Sequence, residues 1–287
     1  MSTAYLRRLM AGETPSVEEW NEHLIAFHER YENATSGPMS LMRSAEGETS
    51  YQIVARRAFE LLPGARAVLD IGCGDGLLLR RIKQTYDREL ELVGIDLCAI
   101  ELERGRAMLG EATFVCGDAS ATDLGSGRFD AIVAHLAIMI ASHQQRILTR
   151  ARTALRTGGA LLMLMEDLPL HPTIGGIFYA GVAVLQATYA GFAPTVPGRE
   201  RLEEDGRLGA VLAETGFSGI SVERHVVGAR FTRAEMWAYA QRVYPFGLME
   251  QPVQDRVREA IDDAVTARLE ADGCVEITFP LRLVVAQ

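Results

Sequence analysis

The chain reads as an α/β protein built on a doubly wound sheet of seven strands, with helical elements ahead of the sheet and inserted into it. Three observations predict this. Continuous apolar runs such as Ala67–Ile71 and Phe129–His135 alternate with helical patterns, as in a parallel sheet covered on both faces. The first run ends in a glycine-rich turn, Gly72-Cys73-Gly74-Asp75-Gly76, just ahead of a helix. No internal repeat or low-complexity linker interrupts the 287 residues, so the chain reads as one compact unit.

The elements follow in order. Thr14-Pro15-Ser16 with Glu19 is a helix start with a capping box, and Trp20, His23, Leu24, Phe27 and Tyr31 then recur on one helical face. Gly37-Pro38 breaks that run. A second helix carries Tyr51, Val54, Ala55, Ala58, Phe59 and Leu62 and stops at Pro63-Gly64. Residues 1–50 are therefore expected to form a helical lid, and 51–167 a core. In the core, strands are predicted at Ala67–Ile71, Leu92–Asp96, from Thr113 to an exit at Asp118, at Phe129–His135 and at Ala160–Met165. Helices are predicted at Leu77–Tyr86, Ile100–Leu109 and Gln144–Leu155, the last ending at Gly158-Gly159. Residues 168–206 read as an apolar cap insertion. Residues 207–287 read as the rest of the core: a helix at Arg207–Glu214, a strand at Ile220–His225, helices at Ala234–Arg242 and Val253–Glu270 inside an insertion over 232–272, and a last strand at Glu276–Val285.

Composition narrows the function. The chain has 29 Lys+Arg against 38 Asp+Glu, a net charge of −9, which argues against a protein that grips nucleic-acid phosphates. The four cysteines lack metal-ligand spacing, and three lie near strand ends as small buried hydrophobes. Met1–Gly12 has no apolar block of the signal-peptide kind, so a reduced, cytoplasmic setting is expected. From Leu168 to Gly198 there is no Asp, Glu, Lys or Arg. Its glycines, Gln186, Thr188 and flanking Pro172 and Pro194 argue for a buried cap helix or a homodimer contact rather than a membrane span.

The turn after the first strand carries the chemistry. Gly72, Gly74 and Gly76 let the backbone approach a ligand held outside the carboxyl ends of the strands. A dinucleotide fingerprint would place its third glycine one residue later, where Leu77 stands. Asp70 and Asp75 flank the turn; they repel a pyrophosphate and attract a sulfonium with an α-ammonium. The electrostatics thus favour S-adenosylmethionine over NAD. Asp96 ends the second strand, where a carboxylate accepts ribose hydroxyls, and Asp118 ends the third, with Ala119 and Leu97 placed for the adenine.

Asp70–Gly76, Gly94-Ile95-Asp96, Cys116-Gly117-Asp118-Ala119, Phe129-Asp130 and Leu155-Arg156-Thr157-Gly158-Gly159 resemble, in order and spacing, the class I S-adenosylmethionine-dependent methyltransferases. The resemblance covers about Gln52 to Asp167 and extends through the family's usual close. It implies a Rossmann-like sheet with the last strand antiparallel between the fifth and sixth, that cofactor, and methyl transfer. On it, Tyr51 and Ala134 join Asp70, Gly72, Gly74, Asp75, Gly76, Asp96, Leu97, Asp118 and Ala119 as expected cofactor contacts. The chain has Ala134-His135-Leu136-Ala137 where DNA and RNA amino-methyltransferases carry Asn/Asp-Pro-Pro-Tyr/Phe, and it lacks the paired glutamates of protein arginine methyltransferases. A small-molecule substrate is therefore expected.

A hydroxyl or an acidic C–H acceptor needs a base. His135 leaves the fourth strand at the sheet edge where a base would serve, Glu166 and Asp167 end the fifth strand, and His225 ends the sixth. Ala134–Ile140, the aromatic N-terminal helices and the Trp237–Tyr244 helix resemble bacterial 2-oxo acid C-methyltransferases of nonribosomal-peptide pathways. That resemblance implies methylation of the carbon beside a ketone through its enolate, in bacterial specialised metabolism. His135, His225 and Glu166 are the expected catalytic residues and the candidate ligands of a divalent metal. O-methylation of a hydroxylated natural product, a non-methylating cyclase reaction on the same fold, and an oxidoreductase are the alternatives.

Overall fold

A computed structural model describes residues 2–167, 172–199, 202 and 205–287. The expected cap insertion over 168–206 thus includes residues 168–171, 200, 201, 203 and 204, which lie outside the described residues. The chain folds into two compact units rather than one. A helical unit comprises Met1–Met42, Pro169–Pro197 and Val227–Phe279, and a sheet unit Arg43–Leu168, Gly198–Val226 and Pro280–Gln287.

The helical unit contains α1 (Ala4–Met10), α2 (Val17–Arg30), α3 (Ser36–Met39), α8 (Pro172–Thr188), α10 (Arg233–Ala240), α11 (Tyr244–Gly247) and α12 (Gln251–Thr266). The capping box of α2 forms as expected: the Glu19 N–H donates to Ser16 Oγ and the Ser16 N–H to Glu19 Oε2. His23 is fully buried and satisfied, with Nδ1 2.8 Å from Thr3 Oγ1 and Nε2 3.1 Å from the Tyr244 carbonyl. The Tyr31 hydroxyl donates to the Gly247 carbonyl at 2.7 Å. Trp20 and Phe27 pack against the Tyr244 ring. These aromatics hold the helices of their own unit together.

The charge-free α8 buries Ile174, Ile177, Val182 and Leu185 and packs on α12, which presents Val253, Val257, Ile261 and Val265 one turn apart. Burial against that stripe accounts for the missing charges. Among the described residues, no helix is long and apolar enough to cross a membrane.

The sheet unit holds α4 (Ser50–Leu61), α5 (Leu77–Tyr86), α6 (Ala99–Met108), α7 (Gln144–Ala154) and α9 (Asp205–Glu214) around the sheet. Its strands are β1 (Ala67–Ile71), β2 (Glu91–Asp96), β3 (Thr113–Cys116), β4 (Phe129–His135), β5 (Leu155–Glu166), β6 (Ser221–Thr232) and β7 (Cys274–Ala286), the unit boundary falling within the last two. Their order is β3-β2-β1-β4-β5-β7-β6, with β1 to β5 parallel and β7 antiparallel to β5, as the resemblance implies.

Several elements differ from expectation. The fifth strand starts at Leu155, paired with Phe129, because Gly158 (φ +80°) and Gly159 continue it with an irregular register instead of ending a helix. The sixth strand runs seven residues beyond His225 to Thr232, since Gly228 lies tight against the Ile277 carbonyl within the sheet. The helix expected at Ala234–Arg242 is α10, and the short α11 follows it as a separate element. Cys73 and Cys98 are buried, but Cys116 is exposed; all four thiols are free.

Register places the chemistry. Leu69, Ile71, Val93, Ile95, Ile132, Ala134, Leu161, Met163 and Met165 share one face, packed in one apolar cluster with Ile147, Leu148 and Ala151 of α7 and Leu208, Val211 and Leu212 of α9. The alternate residues fall on the other face. Asp70 pairs with Gly94 and Val133, and His135 with Leu164; Asp96 and Glu166 lie two residues further along those faces. Asp70, Asp96, His135 and Glu166 therefore project from one face, all at the carboxyl ends of the parallel strands.

Candidate active site

The site begins with the turn after β1. The Gly72 and Cys73 N–H groups both donate to the Ile95 carbonyl, at 2.8 and 3.1 Å, which folds the chain back against β2. Gly72 has φ +70°, and a Cβ there would sit 2.3 Å from Cβ of Ala137. No other residue fits that position. Gly76, at φ +77°, caps α5 and lies against the Phe114 ring.

The carboxylates are gathered around this turn. Asp96 Oδ2 accepts the Gly74 N–H and its Oδ1 the Cys98 N–H, each at 2.9 Å. Asp75 accepts the Leu77 N–H at 3.2 Å. Asp118 accepts the Ser120 N–H at 2.7 Å and so fixes the loop carrying Ala119. Asp70 differs: it is 1% exposed, and its Oδ1 is buried without a hydrogen-bond partner. Burial, then the charges of Asp96 and Asp75, push its carboxyl well above the ordinary range. Leu97 is half-buried beside these groups in sequence. Ala134 packs into the apolar face instead, so any part it takes in binding falls to its main chain.

Tyr51 and His135 form the wall above. The two rings stack with centroids 3.8 Å apart and planes 13° from parallel. The Tyr51 hydroxyl is pushed well above its usual range by burial and by the charges of Asp75, Asp70 and Glu101. His135 Nε2 lies 2.8 Å from the fully buried Ser50 Oγ, and His135 Nδ1 is buried with no partner. Burial drives its pKa down to about 3, so the imidazole is neutral at physiological pH. Both ring nitrogens are closed off and the ring face is covered by Tyr51. His135 is thus not placed as the open base that its position at the strand end suggests. Ser50 was invisible to sequence reasoning because its partner lies 85 residues away; its only local signal is its place at the start of α4.

Glu166 behaves oppositely. It is half-buried at the end of β5, and burial raises its carboxyl to about 7, with the positive charge of Arg199 partly opposing. Arg199 is a second residue missed in the sequence, where it simply ends the charge-free stretch. Asp167 is tied down by Arg224 at 2.9 Å. His225 lies half-buried in β6, its Nε2 4.0 Å from Glu223, which bonds Arg57. Among the described residues no group of three or more His, Cys, Asp or Glu side chains could hold a metal ion. His135, His225 and Glu166, the candidate ligands, are thus not gathered into such a group. The reason is topological: β7 lies between β5 and β6 and separates their backbones by about 10 Å.

An orphaned buried carboxylate oxygen among three acids, beside a glycine turn that admits close backbone approach, suits a ligand with a cationic end and vicinal hydroxyls. S-adenosylmethionine fits: Asp70 and Asp75 would hold its charged amino-acid end, Asp96 the ribose, and Asp118 with Ala119 the adenine.

The sheet order and this site define a class I S-adenosylmethionine-dependent methyltransferase fold. Residues 68–159 match the family described as a methyltransferase domain. An uncharacterized methyltransferase of Synechocystis, sll0829, is 24% identical over 185 residues, covering 64% of this chain and 81% of that protein. Among solved structures, the YcgJ protein of Bacillus subtilis aligns with a TM-score of 0.54 at 15% identity, over 83% of this chain and 97% of its own. The [4+2]-cyclase SpnF aligns with a TM-score of 0.57 at 15% identity, over 95% of this chain and 97% of its own. Residues 68–159 thus carry a methyltransferase domain, and S-adenosylmethionine is the cofactor that its glycine turn and acids fit.

Proposed function

We propose that the acceptor is a small molecule bearing an acidic C–H beside a ketone, a 2-oxo acid of bacterial specialised metabolism, methylated on carbon through its enolate. The observation that carries this reading is the Glu166 carboxyl, raised to about 7 on the same sheet face as the cofactor acids, with the charge of Arg199 acting on it. A base is most effective when its pKa lies near the working pH. A neighbouring guanidinium offsets the negative charge of an enolate or a carboxylate. When bound, S-adenosylmethionine supplies an electrophilic methyl group for in-line displacement. Glu166 then takes the acceptor proton, and Tyr51, flat on His135, walls the site against water. No metal step is part of this reading.

The experiment separates enolisation from methylation. The protein is incubated in D2O with a panel of 2-oxo acids and S-adenosylhomocysteine, and exchange at the carbon beside the ketone is followed by NMR. Exchange that disappears in Glu166→Gln is expected, together with methyl-label transfer to the same carbon when S-adenosylmethionine is supplied. Label found on oxygen, or transfer with no exchange, overturns the carbon-acceptor reading. A second reading, a non-methylating cyclase, has one observation behind it: the overlap with SpnF over nearly the whole of both chains. It predicts turnover that leaves S-adenosylmethionine unconsumed.

A further inference from the structure

Outside the acid-lined site, a groove of about 620 Å³ opens between the loop after β3 and the first turns of α7. It is lined by Ser120, Ala121, Gln145, Arg146, Thr149 and Arg150, with no carboxylate among them. In a chain with 38 acidic residues, that is a local inversion of charge. Other arginines of the sheet unit meet acids: Arg56 pairs with Glu48, Arg128 with Glu91, and Arg156 with Asp130. Among the described residues, neither Arg146 nor Arg150 has an ion-pair partner.

The two guanidinium groups stand one helical turn apart on the same face of α7. Arg150 is already set in place: its Nε donates to the Ser120 carbonyl at 2.7 Å and its Nη1 to the Thr122 carbonyl at 3.2 Å. Those bonds spend two donors on neutral acceptors and leave the charge uncompensated. Arg146 is exposed and unrestrained by side-chain bonds, so it can close on a ligand. Two acids border the groove, each bonded to a residue that lines it. Asp118 accepts the Ser120 N–H, and Glu214 accepts from Gln145 at the groove edge and faces Arg207 at 3.9 Å.

We propose that this groove binds a phosphoryl oxyanion. The Arg146 guanidinium and the donors that Arg150 has left match the terminal oxygens of a phosphoryl group and its charge near −2, while the Thr149 hydroxyl is spent on the Gln145 carbonyl at 2.9 Å. A carboxylate would be satisfied by a single guanidinium fork. The volume exceeds what the ion needs, so the phosphoryl group would arrive on a larger small molecule. The site is separate from Glu166 and does not depend on the acceptor proposed above.

The test follows the arginine Nε–H signals of the full chain by NMR, at constant ionic strength. One titration uses inorganic phosphate and another phenyl phosphate, on the wild type and on Arg146→Gln. Saturable shifts at Arg146 and Arg150 in the millimolar range are expected, weakened about tenfold or more in the variant. S-adenosylhomocysteine affinity, measured by calorimetry, should be unchanged, because Arg146 is exposed and lies outside the cofactor residues. Tighter binding of phenyl phosphate supports a ligand-borne group, and equal or weaker binding supports free phosphate. Shifts that fail to saturate by tens of millimolar, or equal affinity in Arg146→Gln, overturn the proposal.

Discussion

Replacing Glu166 by Gln should make the ligand-free protein more stable at neutral pH, by an amount that grows with pH. The folded-state pKa of Glu166 is raised from 4.5 to about 7. Between those two values the folded chain keeps a proton that the unfolded chain has released, so stability falls as pH rises through that window. Above about 7 the loss is complete. At 1.36 kcal/mol per pH unit, the interval corresponds to about 3 kcal/mol. Gln is close in shape to the protonated acid and does not titrate. The stability difference between Glu166→Gln and the wild type should therefore be nearly constant well below pH 4.5 and rise by about 3 kcal/mol by pH 8. Urea unfolding at a series of pH values, with exchange of the β4 and β5 amides as the probe, measures this difference. Carbon-13 NMR of the Glu166 carboxyl gives its midpoint directly. A midpoint below 5 with a pH-independent difference would show that burial does not perturb this carboxyl and would remove the basis for its role as base. The same titration should appear as a limb near pH 7 in kcat/KM, absent in the variant.

Two further outcomes follow from the glycine turn. Asp70→Asn should lower S-adenosylhomocysteine affinity about 10- to 100-fold, the cost of losing a charge-assisted bond, while stabilising the ligand-free protein by about 1 kcal/mol because a buried, repelled charge is removed. Calorimetry and thermal unfolding check the pair; unchanged affinity would detach Asp70 from the cofactor. Gly72→Ala forces a side chain onto φ +70° and a Cβ to 2.3 Å from that of Ala137, neither atom being the end of a flexible chain. The left-handed backbone costs about 1–2 kcal/mol and the overpacking about 1–3, so chemical unfolding should show a loss of about 2–5 kcal/mol. A loss under about 1 kcal/mol would mean that the turn relaxes freely.

The parallel core was legible because its signals are local. Each of the first four strands is a short apolar run closed by a turn residue, and each expected boundary lies within two residues of the observed one. The strands that ran long did so where glycine served packing rather than punctuation. Gly228 closes on the Ile277 carbonyl inside a continuous strand, and Gly159 sits 2.8 Å, by its would-be Cβ, from the Asp130 carbonyl. In one dimension both look like breakers. The helical preface, the charge-free stretch and the late insertion each stand out in the sequence, but nothing local says that these three separated segments join into one helical body.

The acids of the site were legible for the same local reason: strand ends with carboxylates at successive edges need no tertiary information. The acid–base assignment does need it. His135 and Glu166 come from adjacent strands and share a sheet face, so sequence position ranks the imidazole, with its ordinary pKa near neutrality, as the better base. Burial reverses the order. The imidazole is enclosed between Tyr51 and Ser50 and falls to about 3, while the carboxyl rises to about 7. One physical effect, the cost of holding charge away from water, disfavours the cation of one residue and the anion of the other. It leaves Glu166 as the group that changes protonation at the pH where the protein would work.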